Sequence, residues 1–326
     1  MAKSWMVNFL NSMNKIKYIV LLISILALSA CTDELKKDVQ FNAVIQNDLT
    51  LNEDGMYEAK VGTKVVFALE TNADFVSSSY EIFNESMAQL SFLTTVNWAD
   101  NQDNLHLYIS TDFPGLSKNY DEDLALVHSH AWRDISSLCK WPASRNATDT
   151  TLIDMTEFKN QQVVLAFQYK TNYNSATQPM FVIHQLSIDS YVRKTGELIV
   201  SSPALSMGLQ PFDAMTNDAS AYESQQSAGK WDISFSDATD KTAIKIRQTN
   251  AGKALNEDWL ISQPIAIPRG KVQNGSTYTI KNIHTSADSY SLVLSEEGEW
   301  TITFYAANEN YKFSSNTEQT FKFIVK

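Results

Sequence analysis

Three acidic runs cluster side chains that could do acid–base work: Asp121-Glu122-Asp123, Glu257-Asp258, and Glu296-Glu297 with Glu299. Cleaving a glycosidic bond takes two carboxylates facing each other about 5–9 Å apart across a sugar. Adjacent acids in turns instead point into water, so these runs read as solvated faces. His128-Ser129-His130 has the spacing that, on a strand, turns two imidazoles toward one ion. The residues that follow are Ala131-Trp132-Arg133-Asp134, and the next Glu is Glu157, so a solvated loop pair without metal is expected. Cys139 has no neighbouring His to activate it and reads as a small buried apolar residue. Gly-rich phosphate loops, zinc-protease His-Glu pairs and Ser nucleophile elbows are absent from the sequence. The expectation is a protein that is not an enzyme. It carries no cofactor beyond a structural calcium, whose oxygen ligands cannot be picked from scattered Asp and Asn.

Aromatic side chains are the remaining chemical lead, because sugar-binding sandwiches offer flat rings flanked by polar groups. Tyr120, Trp132 and Trp141 are the candidate ligand-binding residues. Trp132 adjoins Arg133 and Asp134, and Trp141 precedes Ser144, Arg145 and Asn146, which could hydrogen-bond around a stacked ring. Trp98 and Tyr173 also stand in polar stretches, whereas Trp259 and Trp300 sit within strand-like runs and read as core.

These residues must be held by strands. The 326 residues are 44% hydrophobic and 11% aromatic with only 19% charged, a balance that suits β-rich extracytoplasmic proteins. The length allows two modest cores. Val39–Val44, Tyr57–Val61 and Lys64–Leu69 alternate apolar and polar as half-buried strands do. Gln89–Val96, Asn104–Ser110, Gln162–Lys170, Met180–Ile188 and Trp259–Ile267 are further strands. A polar, acidic segment from Ser117 to Asp123 leads to Ala131–Ile135. The tail alternates cleanly through Ser289–Leu294, Trp300–Asn308 and Gln319–Val325. Many short strands divided by turn residues predict antiparallel sandwiches. The net charge of −11 opposes binding to a phosphate backbone, so no nucleic acid is expected as a partner.

The N-terminal residues point to export. Lys15 and Lys17 precede an apolar run of about 11 residues from Tyr18 to Leu28, too short to span a bilayer. Met13 reads as a better start than Met1. Leu28-Ser29-Ala30-Cys31 resembles a bacterial lipobox, in which the Cys thiol is diacylated, the chain is cut before it and the new amino terminus is acylated. The resemblance implies lipidation at Cys31, a membrane partner through that lipid and an outer-membrane location. Thr32-Asp33-Glu34 is similar to the surface-export signal of Bacteroidota lipoproteins. Loss of residues 1–30 removes three Lys and no acid, taking the net charge from −11 to −14. With Cys31 acylated, only Cys139 remains, so no intramolecular disulfide forms.

Ser289-Tyr290-Ser291, Gly298-Glu299-Trp300-Thr301-Ile302-Thr303-Phe304 and Asn308 resemble the last strands of PKD-type Ig-like domains. Val61–Phe67 resembles their opening strands. Leu107–Phe113, Ala131–Ile135, Val164–Tyr169 and Glu257–Pro264 resemble the jelly roll of choice-of-anchor, galactose-binding-like type. Together they resemble an uncharacterised family of Bacteroides surface lipoproteins. The resemblance implies an all-β fold: an Ig/PKD-like sandwich with an inserted antiparallel jelly-roll sandwich. The expected segments are a signal peptide over 1–30, a lipid-anchored tether over 31–38, Ig-like halves over 39–75 and 273–326, and the jelly roll over 76–272. It also implies a non-enzymatic protein that binds a glycan or another surface ligand. The alternative is a structural or adhesive subunit docking an envelope protein. Asp149-Thr150-Thr151 matches an O-glycosylation sequon of exported Bacteroides proteins, which marks Thr150.

Overall fold

The computed structural model describes residues 38–171, 177–226, 229–235, 237, 240–246, 255–310 and 313–326. Cys31, the expected signal peptide, Tyr173 and all of the expected tether except Asp38 lie outside the described residues. The strands of the first half are β1 (Phe41–Ile45), β2 (Tyr57–Ala59), β3 (Lys64–Thr71), β4 (Phe75–Asn97), β5 (Leu105–Ser110), β6 (Arg133–Asp134), β7 (Thr148–Asp154) and β8 (Gln161–Thr171). Next come β9 (Met180–Val192), β10 (Leu198–Pro203), β11 (Gln210–Asp213), β12 (Trp231–Asp232), β13 (Ile244–Ile246), β14 (Asn256–Ile261) and β15 (Ile265–Ile267). The last are β16 (Gly270–Asn274), β17 (Tyr278–Lys281), β18 (Ser289–Val293), β19 (Gly298–Asn310) and β20 (Phe313–Val325). One helix, α1 (Tyr120–Ser129), stands among the described strands. The chain is all-β, as its alternating pattern predicts.

Two compact units divide the chain: residues up to Phe83 together with Val272–Lys326, and Asn84–Lys271. These borders fall at 83/84 and 271/272, whereas the sequence pattern places them at 75/76 and 272/273. No Gly or Pro interrupts Phe75–Asn97. The chain therefore runs on as one long strand, whose residues 75–83 pair with β19 and whose residues 86–97 pair with β9.

In the first unit β3 lies between β1 and β18, all antiparallel. A second layer holds β17, the first part of β4, β19 and β20, with β2 added parallel to β20. Alternation decides the core: Val65, Phe67 and Leu69 of β3 are buried, and so are Trp300, Ile302 and Phe304 of β19. The Phe67 ring meets Phe304 edge-on at 4.9 Å. The edge of β1 is closed by one side chain, since Gln319 accepts from Ala43 N–H at 2.7 Å and donates to Ala43 O at 2.9 Å. Such covering of a strand edge prevents unwanted pairing. Gly275 must stay glycine, because a Cβ there would lie 2.2 Å from the Tyr80 ring.

In the second unit one sheet is built on the rest of β4, with β7 on one side and β9, β13 and β12 on the other. The facing sheet runs β11-β14-β8-β5-β6. Phe92, Phe167, Phe181, Trp231 and Leu260 fill the space between the two. β8 is buried on both faces: Leu165, Phe167 and Tyr169 face that core, while Val164 and Ala166 face a second apolar cluster beneath α1. A strand covered on both sides reads as a continuous apolar run, which Val163–Phe167 is.

Helix α1 corrects the expectation of a polar connection between strands that begins at Ser117. Tyr120, Leu124 and Val127 recur at i, i+4 and i+7, and all three pack on the second cluster. Asp121, Glu122 and Asp123 stand in the first turn, where the helix dipole favours anions.

Candidate functional site

The loop before α1 is shaped by a buried carboxylate. Asp123 is fully buried and accepts from Ser117 N–H at 2.7 Å, Ser117 Oγ at 3.0 Å and Lys118 N–H at 2.9 Å. These bonds hold Lys118 in the left-handed region at φ 67°. A fourth bond comes from Tyr222 Oη, 2.7 Å from Asp123 Oδ2. Asp123 is therefore not part of a solvated acidic face: its own loop and a distant tyrosine surround it.

Tyr120 and Tyr222 flank Phe212 of β11, at ring distances of 5.8 and 5.6 Å. Tyr120 donates to Ala214 O at 2.6 Å. Burial and the nearby Asp213 push the Tyr120 hydroxyl pKa up; burial and the bond to Asp123 do the same to Tyr222. Both phenols are therefore neutral, with their hydroxyls committed to the protein and each residue half-buried. Between the α1 start and the segment after β11 opens a concavity of about 650 Å³. One wall is Lys118 to Asp121 and the other is Asn217 to Ala219 with Tyr222 and Glu223. Asp218 caps the short helical turn Ala219–Tyr222, and hydrogen bonds from the Ser220 hydroxyl and N–H hold its pKa below the usual carboxylate range. A smaller hollow of about 250 Å³ adjoins, sharing Lys118 and Tyr222. Two polarizable rings among amides and carboxylates suit a hydroxyl-rich, flat-faced ligand.

The three candidate aromatics stand in different surroundings. Tyr120 lines the groove. Trp132 is half-buried in the cluster under α1, with Phe113 at 4.7 Å and Trp259 stacked at 6.1 Å. Its Nε1 donates to Val127 O at 3.1 Å, which ties down the end of the helix. Trp141 packs against the inter-sheet core, 5.8 Å from Phe92, with its Nε1 buried and unpartnered. Thr150 is exposed on β7 opposite Leu93. Tyr222, Asn217, Asp218 and Glu223 carry no motif that marks them in the sequence. Asp218 with Ser220 two residues on is the one available cap signal.

Glu257 and Asp258 are also corrected, since both are buried in β14 and not in a solvated turn. β14 lies between β11 and β8, with apolar clusters on both faces. Glu257 Oε1 accepts from His128 Nε2 at 2.9 Å, Gln168 Nε2 at 3.1 Å and Trp259 Nε1 at 3.1 Å, and Oε2 pairs with Lys170 Nζ at 3.1 Å. Burial raises its pKa, but the bonds from Lys170, His128 and Trp259 outweigh this and hold it below the carboxylate range. Tyr108 Oη extends the network by donating to Gln168 Oε1 at 3.2 Å. Asp258 has one oxygen buried without a partner; burial and then Asp213 across the strand pair push its pKa up to about 8.

The two histidines do not face one ion and are not a solvated loop pair. His128 ends α1 on Glu257, while His130 Nε2 sits 2.8 Å from Ser110 Oγ, its ring edge-on to Phe113 and Trp132. A helix end, where successive residues fan outward, separates what a strand would align. Ser110 Oγ also lies 2.9 Å from Asp112 Oδ1 and accepts from the Asp112 and Phe113 N–H groups. Asp112 meets the same ring nitrogen at 3.4 Å, so the serine and the aspartate share Nε2 and do not sit on opposite nitrogens as the partners of a catalytic triad do. Cys139 is half-buried, and burial pushes its thiol up to about 12. Among the described residues no group of three or more His, Cys, Asp or Glu could hold a metal ion. Also among them, no helix is long and apolar enough to cross a membrane.

The fold and groove define an all-β protein of two sandwich units with an open polar–aromatic cleft on the second. The chain belongs to the DUF5017 family, a domain of unknown function whose family model matches residues 30–206, more than half of its length. The match includes α1 and the Tyr120 wall and stops before the wall at 217–223. No curated protein and no solved structure matches.

Proposed function

We propose that the chain is a non-enzymatic, lipid-anchored outer-membrane protein of a Bacteroides-type envelope that holds a glycan in the groove between Tyr120 and Tyr222. The carrying observation is that two tyrosine rings and the side chains of Asn119, Asn217 and Glu223 line one open concavity. Sugars present apolar faces for stacking and hydroxyls for amide and carboxylate partners. The non-enzymatic reading is supported by Glu257, which four donors saturate, and by the single ring nitrogen that Ser110 and Asp112 share. Anchoring is supported by the lipobox around Cys31. Retention of the full-length chain in mild detergent on a glycan array tests the function. Saturable binding that Tyr222→Ala and the exposed Asn217→Ala both weaken supports it. Capture of an envelope protein without any glycan signal favours the adhesive-subunit alternative.

A further inference from the structure

We infer that the groove selects sugars without acidic groups and favours amine-bearing units over neutral ones. This rests on the glycan reading above. Its lining sets three exposed carboxylates, Asp121, Asp218 and Glu223, against one cation, Lys118. The next cation, Lys230, donates its Nζ to Ser220 O at 2.6 Å and Ser220 Oγ at 3.0 Å; it acts on Asp218 but is itself set against the buried Asp213 at 3.8 Å, so it adds no net positive charge. The start of α1 at the groove would ordinarily draw an anion. Here Asp121 and Glu122 occupy that first turn, and Asp123 already accepts the Ser117 and Lys118 N–H groups of the preceding loop. A uronate or sulfate therefore meets a wall whose side chains are net negative, three carboxylates to one Lys. A protonated amine meets carboxylate acceptors at short range, an attraction that salt weakens because all three are exposed.

The test presents the full-length chain in mild detergent with neutral, amine-bearing and uronate or sulfated oligosaccharides of equal length, at low and high salt. Amine-bearing glycans should be retained most and acidic ones at least tenfold less than neutral ones, with both gaps narrowing at high salt. The double variant Asp121→Asn, Glu223→Gln should lower the amine-to-neutral ratio at least threefold. An acidic glycan whose retention is lost in Tyr222→Ala or Asn217→Ala overturns the charge preference and leaves the glycan reading standing. An unchanged ratio in the double variant also overturns it. No retention on any arm overturns the glycan reading and this inference with it.

Discussion

Tyr222 donates its hydroxyl to Asp123 Oδ2 at 2.7 Å, a bond between residues 99 positions apart in the chain. It joins the two walls of the groove through a carboxylate that also fixes the Ser117–Lys118 turn. The cleft is thus set by one buried acid, and its shape depends on that acid having donors on every side.

Asp123→Asn keeps the volume but replaces one acceptor oxygen with a donor. At least one of the four bonds becomes a buried clash of donors. Expected is a loss of about 2–4 kcal/mol and a fall in Tm of roughly 5–15 °C, read by thermal melting of the full chain. An unchanged Tm would show that the carboxylate does not organise the loop.

Trp132→Ala removes a half-buried indole from its stack on Phe113 and Trp259, and with it the bond to Val127 O. We expect about 2–4 kcal/mol of destabilisation, measured by urea unfolding. A variant that melts like the parent but loses ligand would instead make Trp132 a binding residue.

Asp258 supplies a pH signature. Its folded pKa, about 8, lies above that of an unfolded aspartate, so the folded state holds the extra proton. The stability it contributes is complete below about pH 4 and is lost as pH rises toward 8. Asp258→Asn should therefore raise Tm at pH 8 and do so less at pH 5, with a gain at pH 8 of about 1–3 kcal/mol. Equal shifts at both pH values would mean that the carboxyl is not protonated in the fold.

Much of the fold is legible in the sequence because strands advertise themselves. Alternation at Val65, Phe67 and Leu69, or at Trp300, Ile302 and Phe304, states which face is buried. Helix α1 is not, since ten residues with three acids carry a thin apolar stripe that a polar loop can mimic. The burial of Glu257 and Asp258 is hidden for another reason. Their strand is covered on both faces; the donors that make this tolerable for Glu257 come from His128, Gln168 and Lys170, far away in sequence, and Asp258 is accommodated by holding its proton. Tyr120 stands out as an aromatic beside polar residues. Nothing in the sequence joins it to Tyr222, because the run of β11 into Ala214 and the bond from Tyr222 to Asp123 bring them together across long stretches of chain.

Lipidation is tested separately from binding. Cys31 is the thiol at the proposed cleavage site, so on that reading Cys31→Ser should abolish labelling by a fatty-acid probe and leave an unprocessed precursor. Equal labelling of variant and parent would remove the anchor from the account.

The central claim, a glycan held between Tyr120 and Tyr222, is tested most directly by titrating the best array-retained oligosaccharide into the parent and Tyr222→Ala chains. Loss of one stacked ring, worth about 0.5–1.5 kcal/mol beyond burial, predicts affinity about 2- to 12-fold weaker. Equal affinity in the two chains would contradict the claim, as would an array that retains no glycan at all.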